Sequence, residues 1–235
     1  MQRPPASMVI AIGIEQVRTR LASALARAGR PANAVNLLAV SKGQSVAAIR
    51  ELAAQGQHAF GENYVKEALP KIAALEALDL SWHFIGRIQS NKTRDIATHF
   101  SWVHSVDRLK TAARLSAQRP PSLPPLQCCI EVNVQGEAHK GGVTLDALPA
   151  LVAAMLELPR IQLRGLMGMP ELTADEARQR VLFHQLRAAL APYVVHGLDT
   201  LSMGTSTDFE AAIQENATIV RVGTALFGPR SKAAT

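Results

Sequence analysis

"NLLAVSKGQSVAAIRELAAQGQHAFGEN", residues 36–63, carries the decision about the fold. It opens with an apolar run of strand type, "NLLAVSK" (36–42), and breaks at Gly43. It continues through "SVAAIRELAAQGQ" (45–57), where apolar residues recur at helical spacing, and closes on a second strand-like run, "HAFGEN" (58–63). A strand, a helix and a strand within about 30 residues form a crossover unit, which sets two strands parallel with a right-handed connection. Strands that are apolar almost without interruption belong to a sheet covered on both faces.

The same alternation extends along the chain. Further strand-like runs are "WHFIGR" (82–87), "WVHSVD" (102–107), "QCCIEVNV" (127–134), "QLRGLMGM" (162–169), "DTLSMGTS" (199–206) and "TIVRVGTALFG" (218–228), making eight. Helical spacing returns in "YVKEALPKIAALEAL" (64–78), "DRLKTAARLSAQ" (107–118) and "LDALPALVAAMLEL" (145–158). Eight such units in a chain of 235 residues predict an α/β fold, a single (β/α)8 TIM-type barrel. An open doubly wound sheet fits less well, because no glycine-rich dinucleotide fingerprint follows the first strand. "IGIEQVRTRLASALARAG" (12–29) predicts an additional N-terminal helix, ended by Gly29 and kept from resuming by Pro31. One domain is expected over 1–235, with its barrel core at about 36–230; the proline-rich "QRPPSLPPLQ" (118–127) reads as a tight loop and not as a linker.

Composition narrows the function classes. With 48% hydrophobic and 19% charged residues, the chain can bury a full core. A net charge of +6 would suit nucleic acid, but the arginines are scattered and aromatics make up only 4%, so nucleic-acid binding is not expected, and an anionic small ligand fits the charge as well. Cys128 and Cys129 are adjacent, which in a strand sends them to opposite faces, and no disulfide framework is expected. "MVIAIGI" (8–14) is followed at once by Glu15 and Arg18, and no apolar run reaches about 18 residues; a cytoplasmic protein without a membrane partner is expected. His83 and His104 fall in strands and read as packing or hydrogen-bonded residues, and no spacing suggests a metal site.

In barrels of this type the chemistry stands at the carboxyl ends of the strands. Alternation along the first strand puts Leu38, Val40 and Lys42 on one face, so Lys42 would rise into the barrel mouth. Two readings stay open there: an amine reaching water off a strand end, or an amine among apolar walls able to condense with an aldehyde. "SMGTSTDFEAAI" (202–213) runs glycine and hydroxyl residues into a helix, with Ser206 or Thr207 as its cap, and "VRVGTALFG" (220–228) adds Gly223 and Thr224; together they suit a phosphate group. Arg221 shares the face of Gly223, and would either pair with a carboxylate such as Glu62 or Glu131 or donate to a ring nitrogen of a bound cofactor.

Taken in order, "AVSKGQ", "FGENYVKEA", "WHFIGRIQSNK", "RGLMGMP", "LSMGTSTDFEAAI" and "VRVGTALFG" resemble the motifs of the pyridoxal phosphate homeostasis protein family, from about Asn36 to Arg230. The resemblance implies a single barrel similar to the amino-terminal domain of alanine racemase, with pyridoxal 5′-phosphate (PLP) held as a Schiff base on Lys42. It implies Ser206, Gly223 and Thr224 at the phosphate, Arg221 at the pyridine nitrogen, and Asn63, Met203 and Gly204 beside the ring. The implied function is PLP homeostasis, the buffering and delivery of the cofactor to PLP-requiring apo-enzymes, by a monomer with no assigned catalytic residue. The competing expectation is an enzyme: a racemase-like PLP enzyme acting on amino acids, or an aldolase using Lys42, although no acid and base pair stands out at the strand ends. Related racemases take a second base from an added domain, which this chain is expected to lack. Departures from the family pattern are "GRIQ" for the usual "GPLQ", "HKGG" at 139–142 for "SKSG", and Thr207 in place of an acidic residue.

Overall fold

The computed structural model describes residues 6–137 and 139–228. The expected outer boundary of the core, at 230, lies outside them. Eight parallel strands close into a barrel in chain order: β1 (Asn36–Val40), β2 (Ala59–Glu62), β3 (Ser81–Phe84), β4 (Trp102–Val106), β5 (Leu126–Val132), β6 (Ile161–Gly168), β7 (Thr200–Ser202) and β8 (Ile219–Val222). Closure runs from Asn36 opposite Ile219 to Ala39 opposite Val222. Most strands are shorter than the apolar runs that foretold them. The carboxyl ends of those runs, such as Lys42, Asn63 and Gly204–Ser206, lie beyond the strands and line the mouth.

Around the barrel lie α1 (Ala6–Arg27), α2 (Val46–Ala54), α3 (Val65–Ala74), α4 (Thr93–His99), α5 (Leu109–Gln118), α6 (Leu148–Leu156), α7 (Glu176–Leu190), α8 (Phe209–Gln214) and α9 (Thr224–Phe227). The N-terminal helix begins at Ala6 instead of Ile12 and ends at Arg27, with Gly29 in the left-handed region at φ 63°. The run at 218–228 is half strand and half helix, since the chain leaves the ladder at Val222 and turns into α9. The cap expected at Ser206 or Thr207 falls instead to Asp208, whose Oδ1 accepts the Thr205 amide at 2.6 Å and the Thr205 hydroxyl at 2.8 Å. Asp208 thus closes the β7–α8 loop on itself and leaves Ser206 to face elsewhere.

The apolar core lies largely between barrel and helices, with Phe60, Phe84, Phe100, Phe183 and Phe209 all fully buried. Each such side chain contributes about 1.5–3 kcal/mol by leaving water. Helix α1 lays Ile10, Ile14, Val17, Leu21 and Leu25 into this core and packs on α8 and α9. Gly13 makes the approach possible, because a Cβ there would stand 2.5 Å from the Leu226 carbonyl oxygen and 2.8 Å from that of Ala225. No described helix is long and apolar enough to cross a membrane.

The barrel interior also holds a polar line. Ser81 Oγ lies 3.1 Å from His83 Nε2, His83 Nδ1 lies 2.9 Å from His104 Nε2, and His104 Nδ1 lies 2.7 Å from Ser202 Oγ. Burial keeps both imidazoles neutral: it holds His83 down at about 3, and His104 is held well below the ordinary histidine range by burial and then by His83 and Arg221. Both cysteines are buried and free, and burial pushes their thiols up, Cys129 to about 12.

Candidate functional site

At the carboxyl ends of the strands a cavity of about 410 Å³ opens in the barrel mouth. Its wall draws Val40 and Lys42 from the end of β1, Asn63 from β2, Ile85 from β3, Gly168 and Met169 from β6, Gly204 and Ser206 from the β7–α8 loop, and Arg221, Gly223 and Thr224 from β8 and beyond. Seven of the residues singled out in the sequence therefore meet here: Lys42, Asn63, Gly204, Ser206, Arg221, Gly223 and Thr224. Met203 does not. Its neighbour Ser202 points into the interior to His104 and Arg221, so strand alternation sends Met203 the other way, into the core behind the strand where it is fully buried.

Arg221 corrects an expectation about its partners. Neither Glu62 nor Glu131 is ion-paired with it. Its Nη1 donates to the Ser202 carbonyl at 2.6 Å and to Ser202 Oγ at 2.8 Å, and its Nη2 donates to the Gly168 carbonyl at 3.0 Å. Burial lowers the guanidinium to about 10, against the opposing influence of Asp208 and Glu131, so it stays charged at neutral pH. Three carbonyl and hydroxyl acceptors hold the fork in one plane while it lines the cavity.

The loops after β7 and β8 converge on Ser206. Its Oγ accepts from the Gly223 amide at 3.4 Å and the Ala225 amide at 3.5 Å, long contacts that a stronger acceptor would outcompete. Behind the loop, Arg20 of α1 donates to the Ser206 carbonyl at 3.1 Å and to Glu210 at 2.7 Å. Gly204 permits the turn: its φ is 90°, and a Cβ would stand 2.7 Å from that of Ala212. The Gly204 carbonyl accepts the Arg221 amide at 2.9 Å.

Two further observations bear on what the cavity takes. Asn63 Oδ1 is buried and has no hydrogen-bond partner among the described residues, an arrangement that costs about 1–3 kcal/mol unless a bound group fills it. Lys42 and Arg221 outnumber Asp208 among the charged lining residues, which favours an anionic occupant. Asp208, Ile85 and Leu172 also line the cavity and were not singled out in the sequence. For Asp208 a signal was there, an aspartate directly before a helical run.

A second hollow of about 530 Å³ adjoins the first and shares Met169, Pro170 and Leu172 with it. It carries Glu131, Glu137 and Lys140. Burial and Asp107 raise Glu131, with Arg221 and Arg87 opposing. Lys140, in the departure at 139–142, is ion-paired with Glu137 at 2.6 Å.

The sequence profile of the alanine racemase N-terminal domain matches residues 12–231. The chain is 58% identical over 221 residues to the pyridoxal phosphate homeostasis protein of Pseudomonas aeruginosa, covering 94% of this chain and 96% of that one. It is 46% identical over 226 residues to the protein of the same name from Escherichia coli K12, covering 94% and 97%. Among solved structures, PipY of Synechococcus elongatus PCC7942 with PLP bound superposes with a TM-score of 0.80 at 40% identity, over 91% of this chain and 100% of that one.

Proposed function

Because this chain belongs to the pyridoxal phosphate homeostasis protein family, whose barrel is that of the alanine racemase N-terminal domain, we propose that it binds PLP in the mouth cavity and serves to buffer and deliver it. One observation carries the assignment. A primary amine, a buried arginine and a hydroxyl flanked by two backbone amides meet in one cavity of about 410 Å³, beside an amide oxygen that has no partner among the described residues.

Bound PLP supplies an aldehyde, which condenses reversibly with a primary amine and releases water. Lys42 is the amine that holds it. Ser206, Gly223 and Thr224 offer hydroxyl and amide donors to the phosphate, and Arg20 fixes the Ser206 segment from behind. Asn63 and Gly204, which line the cavity, would form the wall beside the ring. Arg221, which can only donate, would face the ring nitrogen and keep it unprotonated, so that the cofactor would be a weak electron sink in this site.

The same wall argues for holding and not for turnover. Lys42, Asp208 and Arg221 are the titratable residues that line the cavity among those described. Asp208 is engaged by Thr205 and Arg221 is a donor only, so neither is placed as a second base.

Titration of the purified protein with PLP tests the reading. A visible absorption band should appear and should be absent from Lys42→Ala; a protein that stays colourless on addition of PLP overturns it. Loaded protein incubated with amino acids in deuterium oxide should incorporate no α-deuterium at enzymatic rates, whereas steady exchange would favour the racemase-like alternative.

A further inference from the structure

Directly behind Lys42, on the outer side of the barrel wall, sits a buried group of charges that the cofactor site does not use. Lys71 of α3 keeps only 7% of its side chain exposed, and Glu62 at the end of β2 keeps none. The Lys71 ammonium donates to three acceptors: the Ser41 carbonyl at 2.9 Å, Glu62 Oε1 at 2.8 Å and Glu67 Oε1 at 2.6 Å. All three of its donors are therefore used. The Ser41 hydroxyl donates to the same Glu62 oxygen at 2.6 Å, and the Gly43 amide donates to the same Glu67 oxygen.

Burying such a group is a costly way to dock a helix. A well-packed apolar side chain at position 71 would hold α3 to the barrel as firmly, because the desolvation of buried ions offsets much of their attraction. What the ions add is geometry. The Ser41 carbonyl belongs to the peptide unit that enters residue 42, and the Gly43 amide belongs to the unit that leaves it. Peptide units are planar, so anchoring both planes fixes φ and ψ of residue 42. With φ and ψ fixed, the direction of its Cα–Cβ bond is fixed too. One ammonium, acting directly on one plane and through Glu67 on the other, thus sets the line along which the Lys42 side chain leaves the backbone.

We propose that Lys71 and Glu67 are positioning residues for the Lys42 amine, holding the two peptide planes that flank it so that the amine is presented to the aldehyde. The proposal rests on Lys42 as the point of attachment. Glu67 is the informative position, since its side chain is 31% exposed in α3 and its replacement leaves no buried hole.

Stopped-flow mixing with saturating PLP measures the limiting rate at which the visible band forms. Glu67→Ala should slow it at least tenfold. Glu67→Gln, which keeps an oxygen acceptor for the Gly43 amide, should stay within threefold of the original chain. Lys71→Met combined with Glu62→Gln removes the ammonium without stranding a buried carboxylate, and should also slow attachment at least tenfold. Affinity for pyridoxine 5′-phosphate, which has the phosphate and ring but no aldehyde, should change less than twofold in all three. Equal attachment rates in Glu67→Ala and the original chain would overturn the proposal, as would a loss of pyridoxine phosphate affinity in step with the rate, which would mean general loosening.

A second arm reads the clamp without any cofactor. In the protein free of PLP, hydrogen exchange at the Gly43 amide should be protected, should quicken at least tenfold in Glu67→Ala and should stay protected in Glu67→Gln. An original chain that forms no band, or a Lys42→Ala variant that still does, would sink the cofactor assignment. Unprotected exchange at Gly43 would sink the clamp itself.

Discussion

Ser206 joins the loops after β7 and β8 through one oxygen, so its removal is a direct test of the phosphate assignment. A hydrogen bond to a charged group is worth about 1.5–3 kcal/mol, and Ser206→Ala should weaken PLP binding by about tenfold or more in a spectrophotometric titration. Arg221→Leu reaches further, because it also strands the Ser202 and Gly168 carbonyls in the interior. It should cost about 3 kcal/mol in a urea titration, in addition to altering the spectrum of any bound cofactor. Lys42 and Arg221 stood out in the sequence because a charged residue on the inward face of an apolar run announces itself locally, whereas Ser206 was read there as an alternative to Thr207 for a cap that falls to Asp208. The acceptors of Arg221 were not legible, since they are backbone carbonyls on β6 and β7 and carry no side-chain signature. Met203 was assigned to the cavity by resemblance, and alternation about Ser202 turns it into the core.

The N-terminal helix was readable as a helix, but its task was not, because nothing local in residues 12–29 names α8 and α9 as its partners. Helix α1 buttresses both of the short helices whose first turns shape the phosphate end of the cavity. The contact is tight at Gly13, where any side chain meets backbone oxygens that cannot swing aside. Gly13→Val should therefore force α1 and α9 apart at a cost of about 1–3 kcal/mol, which for a chain of this size lowers the melting temperature by about 2–4 °C for each kcal/mol. It should also weaken PLP binding although residue 13 is remote from the cavity, because Thr224 begins the displaced helix. A melting curve and a PLP titration on the same preparation check both effects. The strand and helix order was open to sequence reading because its period repeats eight times; strand ends were not, since leaving the ladder depends on neighbouring strands.

As a whole, the molecule is a closed cylinder without strand edges, and its interior is where acid should first be felt. His83 and His104 are held neutral in the folded state and take up protons near pH 6.5 once unfolded. The unfolded chain thus binds more protons below that value, and stability falls as pH drops below about 6.5, by about 1.4 kcal/mol per pH unit for each histidine that stays neutral in the fold, which for His83 holds down to about 3. Urea midpoints measured between pH 7 and pH 5 should decline accordingly, and the decline should be shallower in His83→Gln. The sequence placed both histidines in strands but could not show that they touch, because that depends on the register of β3 against β4. Their contact gives the interior a polarity. Arg221 donates to one lone pair of Ser202 Oγ, and the serine's second lone pair and its proton leave two arrangements for the rest of the line: either Ser202 donates to His104 Nδ1, His104 to His83 and His83 to Ser81, or each of these links is reversed. The protons in the line all point one way or all the other, and no single link can reverse unless the next one does. The barrel therefore carries one binary setting from its ligand end to its floor: Ser81→Ala, at the far end of that line, should shift the tautomer balance of His104 in histidine ¹⁵N spectra without touching it.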